Sequence, residues 1–224
     1  MREIVLDTET TGLKVEDGHR IIEIGAIELI RHVPTGKQFH YYVNPLRDVP
    51  VESERISGIT TAMLQDKPLF AEVVGEFLEF IAEDALVIHN AEFDMRFLNH
   101  ELGLIGMPAL PFARAIDTVK LARTKFPGAP ANLDALCKRF NISAEHRVKH
   151  GALLDAKLLA DVYVELLGGR QTALGLLDSD AGDSGAAAIP RLFREARPHA
   201  PSEEEAKAHA EFLKNLTDPL WGEA

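Results

Sequence analysis

A chain of 224 residues, 46% of them hydrophobic, can bury a full core and carry an appendage besides. It has no apolar run of roughly 18 residues, so no membrane span is expected, and its start lacks the charged and apolar segments of a secretory signal. A net charge of −11 argues against a protein that grips nucleic acid through a broad basic surface of its own, and the single Cys137 excludes an internal disulfide framework and fits a reducing cytoplasm.

In chain order, Ile4-Val5-Leu6 is a short apolar run that predicts a buried strand, and Asp7-Thr8-Glu9-Thr10-Thr11-Gly12 follows it directly. Strand side chains repeat every two residues, so Asp7 and Glu9 point the same way. Two carboxylates on one rigid strand suit a hard divalent ion such as magnesium or manganese. The same spacing recurs at Glu52/Glu54, Asp178/Asp180 and Glu203/Glu205 in a chain with 35 acidic residues. What sets Asp7/Glu9 apart is the buried strand, where an unpaired charge is costly. On this stretch alone a metal site and a solvated strand end are both open. Gly12 with the threonines predicts a turn whose backbone amides can approach a phosphate or sugar.

Ile21 to Ile30 is apolar on both faces, the pattern of a central strand. Gln38 to Val43 alternates, and Pro34-Thr35-Gly36-Lys37 between them predicts a hairpin turn. Pro45 and Pro50 predict a loop. Phe70, Val73, Val74, Phe77, Leu78 and Ile81 recur at helical spacing. The strand Ala85–Ile88 then runs into His89-Asn90-Ala91-Glu92-Phe93-Asp94, followed by a helix that ends at Gly103. Ala115–Asp117 predicts a short strand and Thr118–Lys125 a helix; Asp117 is read as structural. Asn132 caps a helix through Phe140, and Ala152–Leu167 is a helix closed by Gly168-Gly169. Hairpin strands first, then strands alternating with helices, predict a mixed α/β sheet with helices on both faces.

Composition changes after Gly169. The expected organisation is a domain over 1–169, a short peptide at 170–177, a flexible linker over 178–200 rich in Asp, Gly, Ser and Ala, and a tail over 201–224. In the tail, Ser202-Glu203-Glu204-Glu205 is a capping box before an amphipathic helix carrying Ala206, Ala210, Leu213 and Leu216. The helix can fold back on the domain or serve as a docking peptide; the linker favours docking.

Acids thus stand at three element ends: Asp7/Glu9, Asp94 and Asp155. At a helix start, Asp94 and Asp155 are equally readable as caps or dipole partners. His150 precedes Asp155 by five residues, too far round a helix to share its face, so it is placed on the preceding loop.

Together, Asp-x-Glu-Thr-Thr-Gly after the first strand, the Asp of His-Asn-Ala-x-Phe-Asp, and His-x-x-x-x-Asp resemble, in order and spacing, the three motifs of the DEDDh 3′–5′ exonucleases. Phe126-Pro127-Gly128 and Asn132-Leu133-Asp134-Ala135-Leu136-Cys137 narrow the resemblance to the epsilon (proofreading) subunits of bacterial DNA polymerase III, from residue 2 to about 168, with a similar tail closing in Leu220-Trp221. One departure is Ser57, in Arg55-Ile56-Ser57-Gly58, where the family usually carries a His.

The resemblance implies a ribonuclease-H-like mixed five-stranded sheet flanked by helices. It implies two divalent cations, Mg²⁺ or Mn²⁺, held by Asp7, Glu9, Asp94 and Asp155, with His150 taking a proton from the attacking water near neutral pH. Nucleoside 5′-monophosphates would be released from a single-stranded or frayed DNA 3′ terminus, met by Thr10, Thr11, Gly12, His89, Asn90 and Phe93. The implied partners are the polymerase III catalytic alpha subunit, through Leu213, Leu216, Leu220 and Trp221, and the sliding clamp, through Gln171, Leu174 and Leu176. Two alternatives stand beside this: a stand-alone DEDDh nuclease acting on RNA or repair ends, against which the linker and tail speak, and an inactive polymerase scaffold, against which the complete acid set speaks.

Overall fold

Strand β1 (Arg2–Thr10) is the axis of the sheet in the computed structural model, which describes residues 1–144, 150–169 and 201–215. The other strands are β2 (Ile21–Ile30), β3 (Val33–Tyr42), β4 (Ala85–Ile88) and β5 (Ala115–Asp117). They lie in the order β3-β2-β1-β4-β5; β1–β2 and β2–β3 are antiparallel, β1–β4 and β4–β5 parallel. The helices of this unit are α1 (Val51–Ser57), α2 (Thr61–Leu64), α3 (Phe70–Ile81), α4 (Ala91–Leu104), α5 (Thr118–Lys125), α6 (Leu133–Arg139) and α7 (Ala152–Leu167).

The pleat of β1 sorts its side chains between two layers. Ile4 and Leu6 pack with Phe77 of α3 and Phe97 and Leu98 of α4, while Val5 packs on the other face with Leu136 of α6 and Leu159 and Val162 of α7. Ile4, Val5 and Leu6 are fully buried, and each such side chain contributes roughly 1.5–3 kcal/mol relative to exposure. Helix α7 is pinned at its far end, where the buried Tyr163 hydroxyl donates to Glu3 Oε1 at 2.7 Å. Helix α4 is tied to the start of β2 by a two-pronged ion pair between Arg20 and the buried Glu101, at 2.7 and 2.6 Å.

The first strand carries both carboxylates as expected, β2 pairing with it through Asp7↔Gly25 and Glu9↔Glu23. Several other expectations are corrected. The β2–β3 turn is not Pro34–Lys37 but Arg31-His32, both with positive φ (51° and 65°), the form a two-residue hairpin turn demands. The Pro-Gly signal belongs instead to a bulge: Ile27 pairs with Gln38 and Leu29 with Pro34, leaving extra β3 residues opposite Glu28. The loop expected around Pro50 holds α1 and α2, too short to show a helical period; Pro50 is the N-cap of α1. Helix α4 runs through Gly103 to Leu104.

The chain divides into two units, Met1–Leu176 and Leu177–Ala224. In the second, α8 (Glu203–Leu213) begins with the expected capping box between Ser202 and Glu205, and none of its residues is buried. Gln171, Leu174 and Leu176, the linker over 178–200, and Leu216, Leu220 and Trp221 lie outside the described residues. No helix among the described residues is long and apolar enough to cross a membrane.

Candidate active site

Strand β4 ends at Ile88, which pairs with Leu6. From Asp7 onward, therefore, β1 is paired on its β2 side alone, and the edge facing away is open. The site is built on that edge. Asp7 and Glu9 come from β1 itself. On the β4 side the chain turns at Asn90, whose φ of 64° is tolerated by its short polar side chain, straight into α4. This places Asp94 against β1, where its buried carboxylate Oδ1 accepts the Thr8 N–H at 3.0 Å and the Thr8 hydroxyl at 2.6 Å.

Asp155 arrives from the opposite layer, in the first turn of α7, and is 3% exposed. His150 lies before the helix, as expected, and the loop-to-helix junction folds its Nδ1 back to 3.2 Å from Asp155 Oδ2. Ligand atoms of Glu9, His150 and Asp155 all lie within 4.8 Å of one another.

That approach needs two residues of β2 that sequence patterning did not single out. A Cβ on Gly25 would stand 2.2 Å from the backbone nitrogen of Leu153, so only glycine admits the first turn of α7 so close to β1. Glu23, 2% exposed, accepts the Ala152 N–H on Oε2 at 3.0 Å. The available signal was a glutamate and a glycine in alternation with Ile27 and Leu29 on one face of an otherwise apolar strand.

Burial first, and then repulsion from Asp94, Glu9, Asp155 and Glu23, holds the Asp7 carboxyl well above the usual range. Burial pushes Asp94 up to about 7 against the two Thr8 hydrogen bonds, which pull it down. The cleft lined by Asp7, Glu9, Asp94, His150 and Asp155, about 410 Å³, also includes His89, Asn90, Phe93 and Asp134, and no Lys or Arg among the described residues. Four clustered carboxylates, whose mutual repulsion helps to hold Asp7 above the usual range, form an oxygen-rich set that fits hard divalent cations.

The expected nucleotide contacts divide between two hollows. His89, Asn90 and Phe93 line the carboxylate cleft, and His89 Nδ1 lies 2.8 Å from the Thr118 hydroxyl. Thr10, Thr11 and Gly12 line an adjoining hollow of about 500 Å³ with Leu13, Ser53 and Ile56. There the Thr11 N–H donates to the Arg20 carbonyl at 2.9 Å, so this amide is not the open donor the turn predicted. The His19 ring fills the space where a Cβ on Gly12 would stand. Ser53 and Ile56, missed with α1, border this hollow; the Ser53 hydroxyl donates to the Thr10 carbonyl at 2.6 Å. Ser57 is buried, donating to the Ser53 carbonyl and accepting from the Ile59 N–H, so it stabilises the end of α1 and is not among the residues lining the hollow. Asp117 is a helix cap, accepting the Val119 N–H at 2.9 Å.

The exonuclease (RNase_T) family model matches residues 4–163. The chain is 50% identical over 222 residues to the DNA polymerase III subunit epsilon of Rickettsia conorii, covering 96% of each chain. It is 45% identical over 223 residues to the subunit of the same description from Salmonella typhimurium, covering 95% of this chain and 92% of the relative. Among solved structures, exonuclease X in complex with 5′ overhanging duplex DNA aligns with a TM-score of 0.59 and 28% identity over 74% of this chain and 90% of that one.

Proposed function

Because the chain belongs to the exonuclease family and is a 3′–5′ exonuclease of the proofreading, polymerase III epsilon kind, we propose that Asp7, Glu9, Asp94 and Asp155 hold two divalent cations, Mg²⁺ or Mn²⁺, and that His150 is its general base. The observation that carries this is the convergence of four carboxylates and one exposed histidine, from β1, α4 and the start of α7, on one cleft. When bound, the cations supply Lewis-acid stabilisation of the charge that develops on the scissile phosphate.

The chain's own groups do the rest. Thr8 fixes the Asp94 carboxylate with two donors, so its orientation does not depend on solvent. With Nδ1 turned to Asp155, which steadies the ring, His150 would accept a proton from the attacking water. His150 has 46% of its side chain exposed where Asp155 has 4%, so the histidine can exchange that proton with solvent while the aspartate stays fixed. Leu13 and Ile56, 81% and 54% exposed, present apolar surface beside Thr10, Thr11 and Gly12 for the bases of a single-stranded 3′ end.

The proposal extends to assembly. Residues 201–224, with Leu213, Leu216, Leu220 and Trp221, would dock on the polymerase III alpha subunit in the cytoplasm; supporting this, Phe212 of α8 is 59% exposed. Gln171, Leu174 and Leu176 would engage the sliding clamp, and a peptide spanning 170–177 that fails to bind the clamp at millimolar concentration would remove that part. The test of the whole is digestion, in magnesium, of a primer with a mispaired 3′ end against single-stranded RNA. Faster release of deoxynucleoside monophosphates is expected; preference for the RNA would overturn the proposal.

A further inference from the structure

Helix α7 starts without a cap of its own. Its N-cap is Gly151, which has no side chain to offer the first-turn N–H groups. The cap comes instead from another strand: Glu23 Oε2 accepts the Ala152 N–H at 3.0 Å. The other oxygen of Glu23, Oε1, lies 2.7 Å from His40 Nε2 on β3. Glu23 is also the residue directly across the β1–β2 ladder from Glu9.

A buried carboxylate beside four others adds repulsion to the site, and that is tolerated only where its oxygens are well bound. Here both are. One group therefore ties three things together: the strand opposite Glu9, the start of the helix that bears Asp155, and the junction after His150. The His150 N–H itself donates to the Ile56 carbonyl in α1 at 3.2 Å, so the 150–152 segment is held from α1 on one side and from β2 on the other.

We propose that Glu23, braced by His40, is a positioning residue: it fixes the N-terminus of α7 and thereby sets where His150 and Asp155 stand relative to Asp7 and Glu9. This rests on the roles given above to His150 and Asp155. Glu23→Ala removes the acceptor, whereas Glu23→Gln keeps an amide oxygen for the Ala152 N–H, removes the charge and turns an NH2 donor to His40, whose neutral ring can accept it on Nε2.

On a single-stranded oligonucleotide, Glu23→Ala should lower kcat roughly 10- to 100-fold with KM unchanged, the scale of a small misplacement of catalytic groups, and Glu23→Gln should restore most of the loss. Amide hydrogen exchange over residues 150–156 should accelerate in Glu23→Ala but not in Glu23→Gln, while residues 85–104 keep parental protection. If Glu23→Ala does not fold, His40→Ala, at a partly exposed position, should show both effects in smaller measure. Parental exchange over 150–156 in the Ala variants would overturn the proposal, as would equal impairment of Glu23→Ala and Glu23→Gln. Should the parental chain show no nuclease activity, the failure belongs to the roles of His150 and Asp155, and the exchange data still decide the anchor.

Discussion

The backbone of Leu153 passes over Gly25 so closely that its nitrogen would stand 2.2 Å from a Cβ at that position. Gly25 is the ladder partner of Asp7. The absent side chain is thus what lets the helix bearing Asp155 reach the strand bearing Asp7 and Glu9.

Gly25→Ala should therefore push the start of α7 outward. The contact is with backbone, which cannot rotate away, so the overpacking should cost about 1–3 kcal/mol of stability. Activity should suffer more, by roughly 10²-fold, because catalytic groups are displaced together. Denaturant unfolding alongside single-strand digestion checks both; parental kcat in Gly25→Ala would show that the helix has room to spare.

Replacing any one of Asp7, Glu9, Asp94 or Asp155 by Ala should abolish nearly all nuclease activity while the fold survives. Removing Glu9 or Asp155 relieves part of the repulsion that raises Asp7, so those metal-free variants should melt no lower than the parent, whereas Asp94→Ala also strands the two Thr8 donors and should melt lower. Near-parental degradation of single-stranded DNA by Asp7→Ala would refute the ligand assignment.

Asp94 contributes to the pH dependence of the metal-free protein alongside Asp7, which is raised as well. The folded pKa of Asp94, about 7, lies above the unfolded value of roughly 3.9. Between those values the native state keeps a proton that the unfolded chain has released. Stability from this group is full below about 4 and is lost as pH rises through about 7. Thermal melts in a chelator should fall across that window in the parent and fall less in Asp94→Asn, which keeps an acceptor for Thr8. Magnesium should reverse the decline at pH 8. Identical pH slopes in parent and variant would contradict the assignment.

His150→Ala should lower kcat by roughly 10²–10⁴, the range for a lost general base. Because His150 stands within 4.8 Å of Glu9 and Asp155 in ligand-atom terms, calorimetry must accompany kinetics. Unchanged manganese stoichiometry is expected; loss of one binding site would make His150 a ligand.

A chain ending at Gly169 should still cut short single strands but should no longer co-purify with the polymerase, since the tail would tether the domain and raise its effective concentration at the primer end. Trp221→Ala should weaken the association by a few kcal/mol at most. Undiminished co-elution of the truncated domain on gel filtration would place the docking surface elsewhere.

By itself the sequence determined what local periodicity and side-chain chemistry encode: the buried strands around Ile4–Leu6 and Ile21–Ile30, the helices over 70–81 and 152–167, the Asn132 cap, and the acids Asp7, Glu9, Asp94 and Asp155 at or near element ends. These are readable because a strand or helix repeats its apolar face within a few residues, and because a carboxylate placed in a buried strand needs a partner. Tertiary structure decided what depends on residues distant in the chain. A two-residue turn at Arg31-His32 carries neither Gly nor Pro, so the louder Pro34-Gly36 signal of a bulge hid it. Helices α1 and α2 are too short for a period. Gly25 looks like any glycine in a strand until Leu153 lies against it, and Glu23 like any polar residue until Ala152, 129 positions on, needs an acceptor. A glycine's lack of a Cβ and a carboxylate's lone pairs are local properties, but which backbone comes to meet them is set only when α7 packs across the sheet.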